Sequence, residues 1–236
     1  MATLIVTAQS STIPGDPAGD PLGGFLMGAD AVYATAQVGA GSAYINSSHI
    51  EVGQYSSFIV YRSGLAFVTS TLGSGASITA AVLSVYGYAD YSDTDFDLTI
   101  VSGADLADYL VDADYQDLLN DTISFGERST SAFVEDAWFD IPLNVTGLAA
   151  ISKTGTTRFG LRSSRDISAT TPTGFESIQY ETSWIEGWPA THQPKLTITY
   201  EESSELVGPI KIYRTNFRYY DGYGDLRELE GTKVEA

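Results

Sequence analysis

The stretch SITAAVLSVYGYA, residues 77–89, constrains the fold more than any other. Ala81, Leu83, Val85 and Gly87 fall at every second position, with Val82, Ser84 and Tyr86 between them. A period of two puts the first set on one side of a pleated strand and the second on the other. The Gly-rich TLGSGA before it reads as a turn, and SSFIVYRSGLAFVTS before that reads as a second long strand. DFDLTIVSG, EDAWFDIPLNV, TTRFGLRSS, FESIQYE and PKLTITYE continue the series. Such strands, separated by turns in a chain of 236 residues, predict one all-β domain with extensions. The expected fold is a jelly-roll-like antiparallel β-sandwich with short helical insertions.

Three regions follow. Residues 1–28 read as an N-terminal arm, because STIPGDPAGDPLGG is dense in turn formers. TLIVTA ahead of it would be an edge strand. Residues 29–202 form the sandwich. Two helical interruptions are expected there. In DLADYLVDADYQDLLND, Leu106, Tyr109, Leu110, Tyr115, Leu118 and Leu119 have helical spacing. In NVTGLAAISKTG, Thr146 would cap a short turn. Residues 203–236 read as a linker followed by an attachment segment, or as a last strand pair packed on the sandwich. This tail holds 5 of the 12 basic residues, and its dense aromatic run offers Tyr213, Phe217, Tyr219, Tyr220 and Tyr223 to an assembly interface.

The formal net charge is −18. No Lys or Arg precedes Arg62, and none lies between Arg62 and Arg128. A chain this acidic repels phosphate backbones and anionic membranes, so nucleic acid and membrane are not expected partners. No apolar run is long enough to span a bilayer. Cysteine is absent, which removes disulfides and thiolate metal sites. The N-terminus has no basic stretch before its short apolar run, so export by a general secretory signal is not expected. Asn46, Asn120 and Asn144 match glycosylation acceptors, which without such a signal carry no weight.

Asp93, Asp95 and Asp97 alternate in YADYSDTDFDLTI. Counted from Asp93, an EF-hand would need Gly and Glu where Leu98 and Ala104 stand. The alternation points instead to a strand with Phe96, Leu98 and Ile100 inside and Asp95, Asp97 and Thr99 on a solvated face. A calcium site of another kind, using Asp90, Asp93 or Asp95, stays open, and no other cofactor is expected. Among 30 acidic residues some pair always meets glycosidase spacing, so a catalytic reading has little specificity. His49 and His192 stand in polar or turn-like segments without a hydrolase motif. Arg158, Arg162 and Arg165 suggest either an anion site or charge pairing with the acidic surface. Trp184, Glu186, Trp188 and Gln193, in a loop before the last sandwich strand, would suit a sugar: indole faces stack on rings while acid and amide bond hydroxyls. The alternative is that a Trp plugs the end of the sandwich.

YRSGLAFVTSTLGSGASITAAVLSVYGYADYSDTDFDLTIV resembles the first half of carbohydrate-binding-like β-sandwiches of the DNRLRE or disaggregatase-related type. WFDIPLNVTGLAAISKTGTTRFGLRSS is similar to the second half and PKLTITY to the closing strand. The likeness covers roughly residues 29–202, lacks the motif that names the family, and transfers no binding residue. It implies either polysaccharide attachment at a bacterial surface or a structural role in a tailed phage. Taken with the missing signal and the terminal extensions, the expectation is a non-enzymatic virion protein, assembled in the host cytoplasm as head or tail decoration or adhesin. Its partners would be other virion proteins, further copies of itself and a cell-surface glycan. The alternatives are a free or surface carbohydrate-binding module, extracellular in location, and a glycoside hydrolase or lyase.

Overall fold

The computed structural model of the chain describes residues 1–8, 23–45, 49–108, 110–182, 192–202 and 211–235, with the side chains of the last stretch described only for 221–226. Two compact units emerge, Met1–Glu202 and Ser203–Ala236. The first unit holds twelve strands: β1 (Ala2–Thr7), β2 (Gly23–Ala29), β3 (Ser42–Ile45), β4 (His49–Tyr55), β5 (Ile59–Val68), β6 (Ser77–Asp90), β7 (Asp97–Ser102), β8 (Gly126–Ser129), β9 (Trp138–Pro142), β10 (Thr156–Ser163), β11 (Phe175–Glu181) and β12 (Lys195–Glu201). Its short helices are α1 (Tyr33–Val38), α2 (Asp114–Asn120), α3 (Val145–Ala150) and α4 (Ser164–Ile167).

The strands pair antiparallel in the order β1-β12-β6-β11-β4-β5-β10-β7-β8, with β2 beside β3 and β5, and β9 beside β6. The two longest strands each serve three neighbours. One edge of β6 pairs β12 over Ser77–Ser84 and β11 over Tyr86–Asp90, while the other edge pairs β9. β5 divides in the same way between β10 and β4, with β2 opposite. Splitting two long strands lets the sheet curl over and close on its own apolar face. This is the all-β, antiparallel, sandwich-like fold expected.

The closed face is the main core. Ile50, Val52, Leu65, Phe67, Leu83, Val85, Leu98, Ile100, Phe159, Leu161, Ile178 and Tyr180 are all buried in it. Alternation along β6 and β7 runs as expected: Ala81, Leu83, Val85 and Gly87 point in, as do Phe96, Leu98 and Ile100. Thr99, expected on a solvated face, is buried. The outer face of β5 and β10 carries a second apolar layer of Leu26, Tyr33, Val60, Val101, Leu106, Leu110, Tyr115 and Leu118.

Between that layer and the sheet lies a buried ionic knot. Arg62 Nε and Nη2 donate to the two oxygens of Asp166 at 2.8 and 2.9 Å, and Arg162 Nε donates to Oδ2 at 2.8 Å. Arg62 also donates to the carbonyls of Tyr115 and Gln37, and Arg162 Nη1 to those of Leu118, Leu119 and Asp121. Burial alone would raise the Asp166 carboxyl, but the hydrogen bonds and charge of the two arginines outweigh it and hold the group below the usual carboxylate range.

Several expectations need correction. TLIVTA is the edge strand expected, β1 pairing β12 at the end of the sheet order, but residues 23–28 belong to β2, which pairs β5 within the sheet, and not to an arm. The helix expected over 105–121 is confined to α2: Asp114 accepts from Val111 and Ala107 N–H, which ties the preceding loop back and starts the helix there. Leu106 and Leu110 reach the same core from that irregular loop. Asn144, not Thr146, caps α3 through a 3.0 Å bond from Gly147 N–H.

The second unit is an antiparallel pair, β13 (Lys211–Tyr220) and β14 (Leu226–Glu235), in continuous register from Lys211↔Glu235 to Tyr220↔Leu226. Its turn is closed by Asp221, which accepts from the N–H of Tyr223 and of Asp225.

Candidate functional site

A cleft of about 540 Å³ opens where β4 and β11 meet the turn after β6. Tyr55, Asp90, Tyr91, Ser92, Asp93, Phe175 and Gln179 line it. The turn is pinned along β11: Tyr91 N–H donates to Ser177 O at 3.0 Å, Asp93 N–H to Phe175 O at 2.7 Å, and Phe175 N–H returns to Asp93 Oδ2 at 3.1 Å. Asp90 closes an Asx turn by accepting from Ser92 N–H at 2.9 Å, and the Ser92 hydroxyl also donates to it. The acidic rim is thus held by its own backbone.

Behind the rim runs a line of aromatic rings in successive contact. Tyr44 stacks on Phe25 at 5.0 Å, Phe25 meets Tyr61 edge-on at 5.6 Å, Tyr61 meets Tyr55 at 5.4 Å, and Tyr55 meets Phe175 at 4.8 Å. Register explains the line: Phe25 pairs Tyr44, Met27 pairs Tyr61, and Tyr55 pairs Phe175. Edge-to-face geometry suits the ring quadrupoles and locks each ring against the next. Phe175 and Tyr91 keep about half of their surface, 53% and 46%, open to solvent.

Glu51 is the polar anchor of this line. It is 6% exposed and accepts from the Tyr55 hydroxyl, the Ser177 hydroxyl at 2.8 Å and Gln179 Nε2 at 3.1 Å. Burial, reinforced by the bond to Glu51, pushes the Tyr55 phenol above its ordinary value. Burial and the charge of Glu51 push Tyr61 up to about 12. Both phenols therefore stay neutral donors across the biological range. Glycine at position 53 permits this arrangement. Its φ of 136° lies outside what L-residues adopt readily, and a Cβ there would run into the Glu176 carbonyl.

A second aromatic group lies on β6, β9 and β12. His192 stacks on Tyr86 at 3.6 Å, and its Nδ1 lies within hydrogen-bond distance of Glu181 Oε2, at 2.6 Å. Tyr86 meets Trp138 edge-on at 5.4 Å, and Lys195 Nζ sits 3.6 Å over the Trp138 ring. His49 stacks on Tyr88 at 4.7 Å. Both histidines are ring partners in these stacks.

The residues expected to act from sequence are placed as follows. Trp184, Glu186 and Trp188 lie outside the described residues. Gln193 is half-buried just before β12. Tyr213, Phe217, Tyr219 and Tyr220 are on β13, paired with Lys233, Leu229, Arg227 and Leu226, and their side chains lie outside the described residues. Tyr223 is on the turn and 96% exposed. Asp90 and Asp93 reach the cleft, but Asp95 turns away to accept from the Thr130 hydroxyl at 3.2 Å. Among the described residues no three His, Asp or Glu are grouped to hold a metal. The three arginines do not gather into an anion site. Arg158 pairs Asp108, Arg162 pairs Asp166, and Arg165 pairs Glu176 at 2.6 Å. Two of these carboxylates are fully buried, so pairing with the acidic surface describes only Arg158.

Sequence reading missed Tyr55, Tyr91, Phe175, Gln179 and Glu51. Their signal was the aromatic content of β4, β5 and β11, which becomes a site only once strand register is known. No protein-family model matches the chain, and no curated protein is significantly similar to it.

Proposed function

We propose that this chain is a non-enzymatic adhesion or decoration protein of a tailed-phage particle, built on a carbohydrate-binding-like sandwich. The observation that carries the reading is the line of aromatic rings ending in an open, acid-rimmed cleft. Half-exposed Tyr91 and Phe175 offer faces to the C–H side of a sugar ring, and Asp90, Asp93 and Gln179 offer acceptors to its hydroxyls. Binding is favoured over hydrolysis by the state of the acids. Glu51, a buried carboxylate behind Tyr55, already accepts three hydrogen bonds, which suits holding that ring in place more than general acid–base work.

The particle is supported by the separate C-terminal hairpin and by charge. A 34-residue unit distinct from the body suits docking on neighbouring subunits, and an acidic body stays soluble at the density of a virion surface. Among the described residues no helix is long and apolar enough to cross a membrane. The second reading, a free or cell-surface carbohydrate-binding module, uses the same cleft without a particle. Sedimentation of the native protein, with mass spectrometry across the gradient, separates the two. Co-migration with large particles and further copies is expected, and migration as a small free species would overturn the virion reading.

A further inference from the structure

We infer that the cleft selects a pyranose bearing a free ammonium group, a de-N-acetylated hexosamine, and rejects acidic sugars. This rests on the carbohydrate reading of the same cleft and adds the class of sugar. Most of the donors at the rim are already used. The Tyr55 hydroxyl is held by Glu51, the Ser92 hydroxyl by Asp90, and the N–H groups of Tyr91, Asp93 and Phe175 by the β11 ladder and Asp93. Acceptors remain free. Among the described residues, Asp90 Oδ2, Asp93 Oδ1 and Gln179 Oε1 have no hydrogen-bond partner. No Lys or Arg lines the cleft, and Glu51 adds negative charge behind Tyr55.

An ammonium group brings three donors and no acceptor, which matches three open acceptors. Its charge is attracted by the Asp90 and Asp93 carboxylates and by the faces of Tyr91 and Phe175. A uronic or sulfated sugar would bring its charge against two rim carboxylates with no cation to offset them. A neutral hydroxyl would satisfy one acceptor at a time and gain nothing from charge.

The test is calorimetric titration of the full chain at pH 5.5 with trisaccharides of glucosamine, N-acetylglucosamine, glucose and galacturonate, at about 20 and about 500 mM salt. The glucosamine trimer is expected to bind about five-fold tighter than the neutral trimers at low salt, the upper size of one partly exposed charge contact. The galacturonate trimer should not bind. Asp90→Asn with Asp93→Asn keeps the turn acceptors and should bring the glucosamine trimer to the neutral level. Phe175→Ala should weaken every trimer that binds. The overall charge of −18 would also draw a cationic sugar, but that attraction would be indifferent to both variants. Unchanged binding in both variants therefore overturns the inference. Equal affinity for amine and neutral sugars overturns the ammonium selectivity while leaving the cleft a glycan site. Binding of no trimer overturns both.

Discussion

Asp166 is the most consequential single side chain in the body. Its carboxylate takes three charge-assisted hydrogen bonds of 2.8–2.9 Å from Arg62 and Arg162, and all three residues are essentially inaccessible. Replacing it with Asn removes the only negative charge between two buried guanidinium groups and turns an amide N–H toward one of them. Breaking a buried pair in this way costs about 3–5 kcal/mol, because the stranded charge cannot be rehydrated. At about 2–4 °C per kcal/mol for a chain of this size, the melting temperature should fall by roughly 6–20 °C. The pH dependence is a second, sharper readout. The Asp166 carboxyl is held below its ordinary value, so in acid the unfolded state binds a proton before the folded state does. Its contribution is complete above the unfolded value of about 3.9 and fades as pH falls through the folded one. The gap between wild type and Asp166→Asn should therefore narrow below about pH 4. Thermal unfolding followed by circular dichroism from pH 7 down to pH 3 checks both. A loss of less than about 3 °C at neutral pH, or a gap independent of pH, would refute the reasoning.

Three further outcomes are expected. Burial raises the phenols of Tyr33, Tyr55, Tyr61, Tyr115 and Tyr180, so above pH 10 the unfolded chain sheds protons that the folded chain keeps, and stability should fall by up to about 7 kcal/mol per pH unit. Absorbance titration should show these five ionising only on unfolding; reversible titration of all 15 tyrosines near pH 10 would contradict this. Gly53→Ala should destabilise by more than about 1 kcal/mol in urea unfolding, since it meets both a positive φ and the Glu176 carbonyl, and a neutral effect would mean the β4 kink is dispensable. Truncation after Glu202 should leave the melting temperature of the body unchanged within about 2 °C while abolishing co-sedimentation with particles, and a truncated chain that still assembles would remove the hairpin from the attachment role.

The fold was legible where local pattern and tertiary demand agree. β6 alternates over most of Ala81–Asp90 because one side faces the main core, whereas in β7 Thr99 and Val101 are buried as well as Leu98 and Ile100. Legibility failed where burial comes from both sides. β5 carries Leu65 and Phe67 into one core while Arg62 and Val60 enter the other layer, and nothing in its composition announces a buried arginine. The loop over 103–113 misled for a related reason. Leu106 and Leu110 are spaced like one side of a helix, yet Asp114 draws the N–H groups of Ala107 and Val111 onto its side chain and stops a helix from extending back. The β2 segment read as part of an arm because the Pro- and Gly-rich stretch before it dominated the local composition, whereas β1 was legible as an edge strand.

The site was hidden by register, but its charge was written in the placement of cations. The body has seven basic residues, and six have internal work. Arg62 and Arg162 hold Asp166, Arg165 holds Glu176, Arg158 pairs Asp108, Arg128 donates to the Asp140 carbonyl and covers Phe139, and Lys195 covers Trp138. Lys153 is left, and it does not line the cleft. A body that spends six of its seven cations on its own frame has only Lys153 left over for an anionic ligand. The same scarcity that argued against nucleic acid at the level of composition recurs in the cleft, where among the described residues aromatic faces and aspartates form the lining and no Lys or Arg does. Whatever enters must bring its own donors. That restricts the ligand more tightly than the cleft's volume or its aromatic lining does, since those alone would accept sugars of any charge.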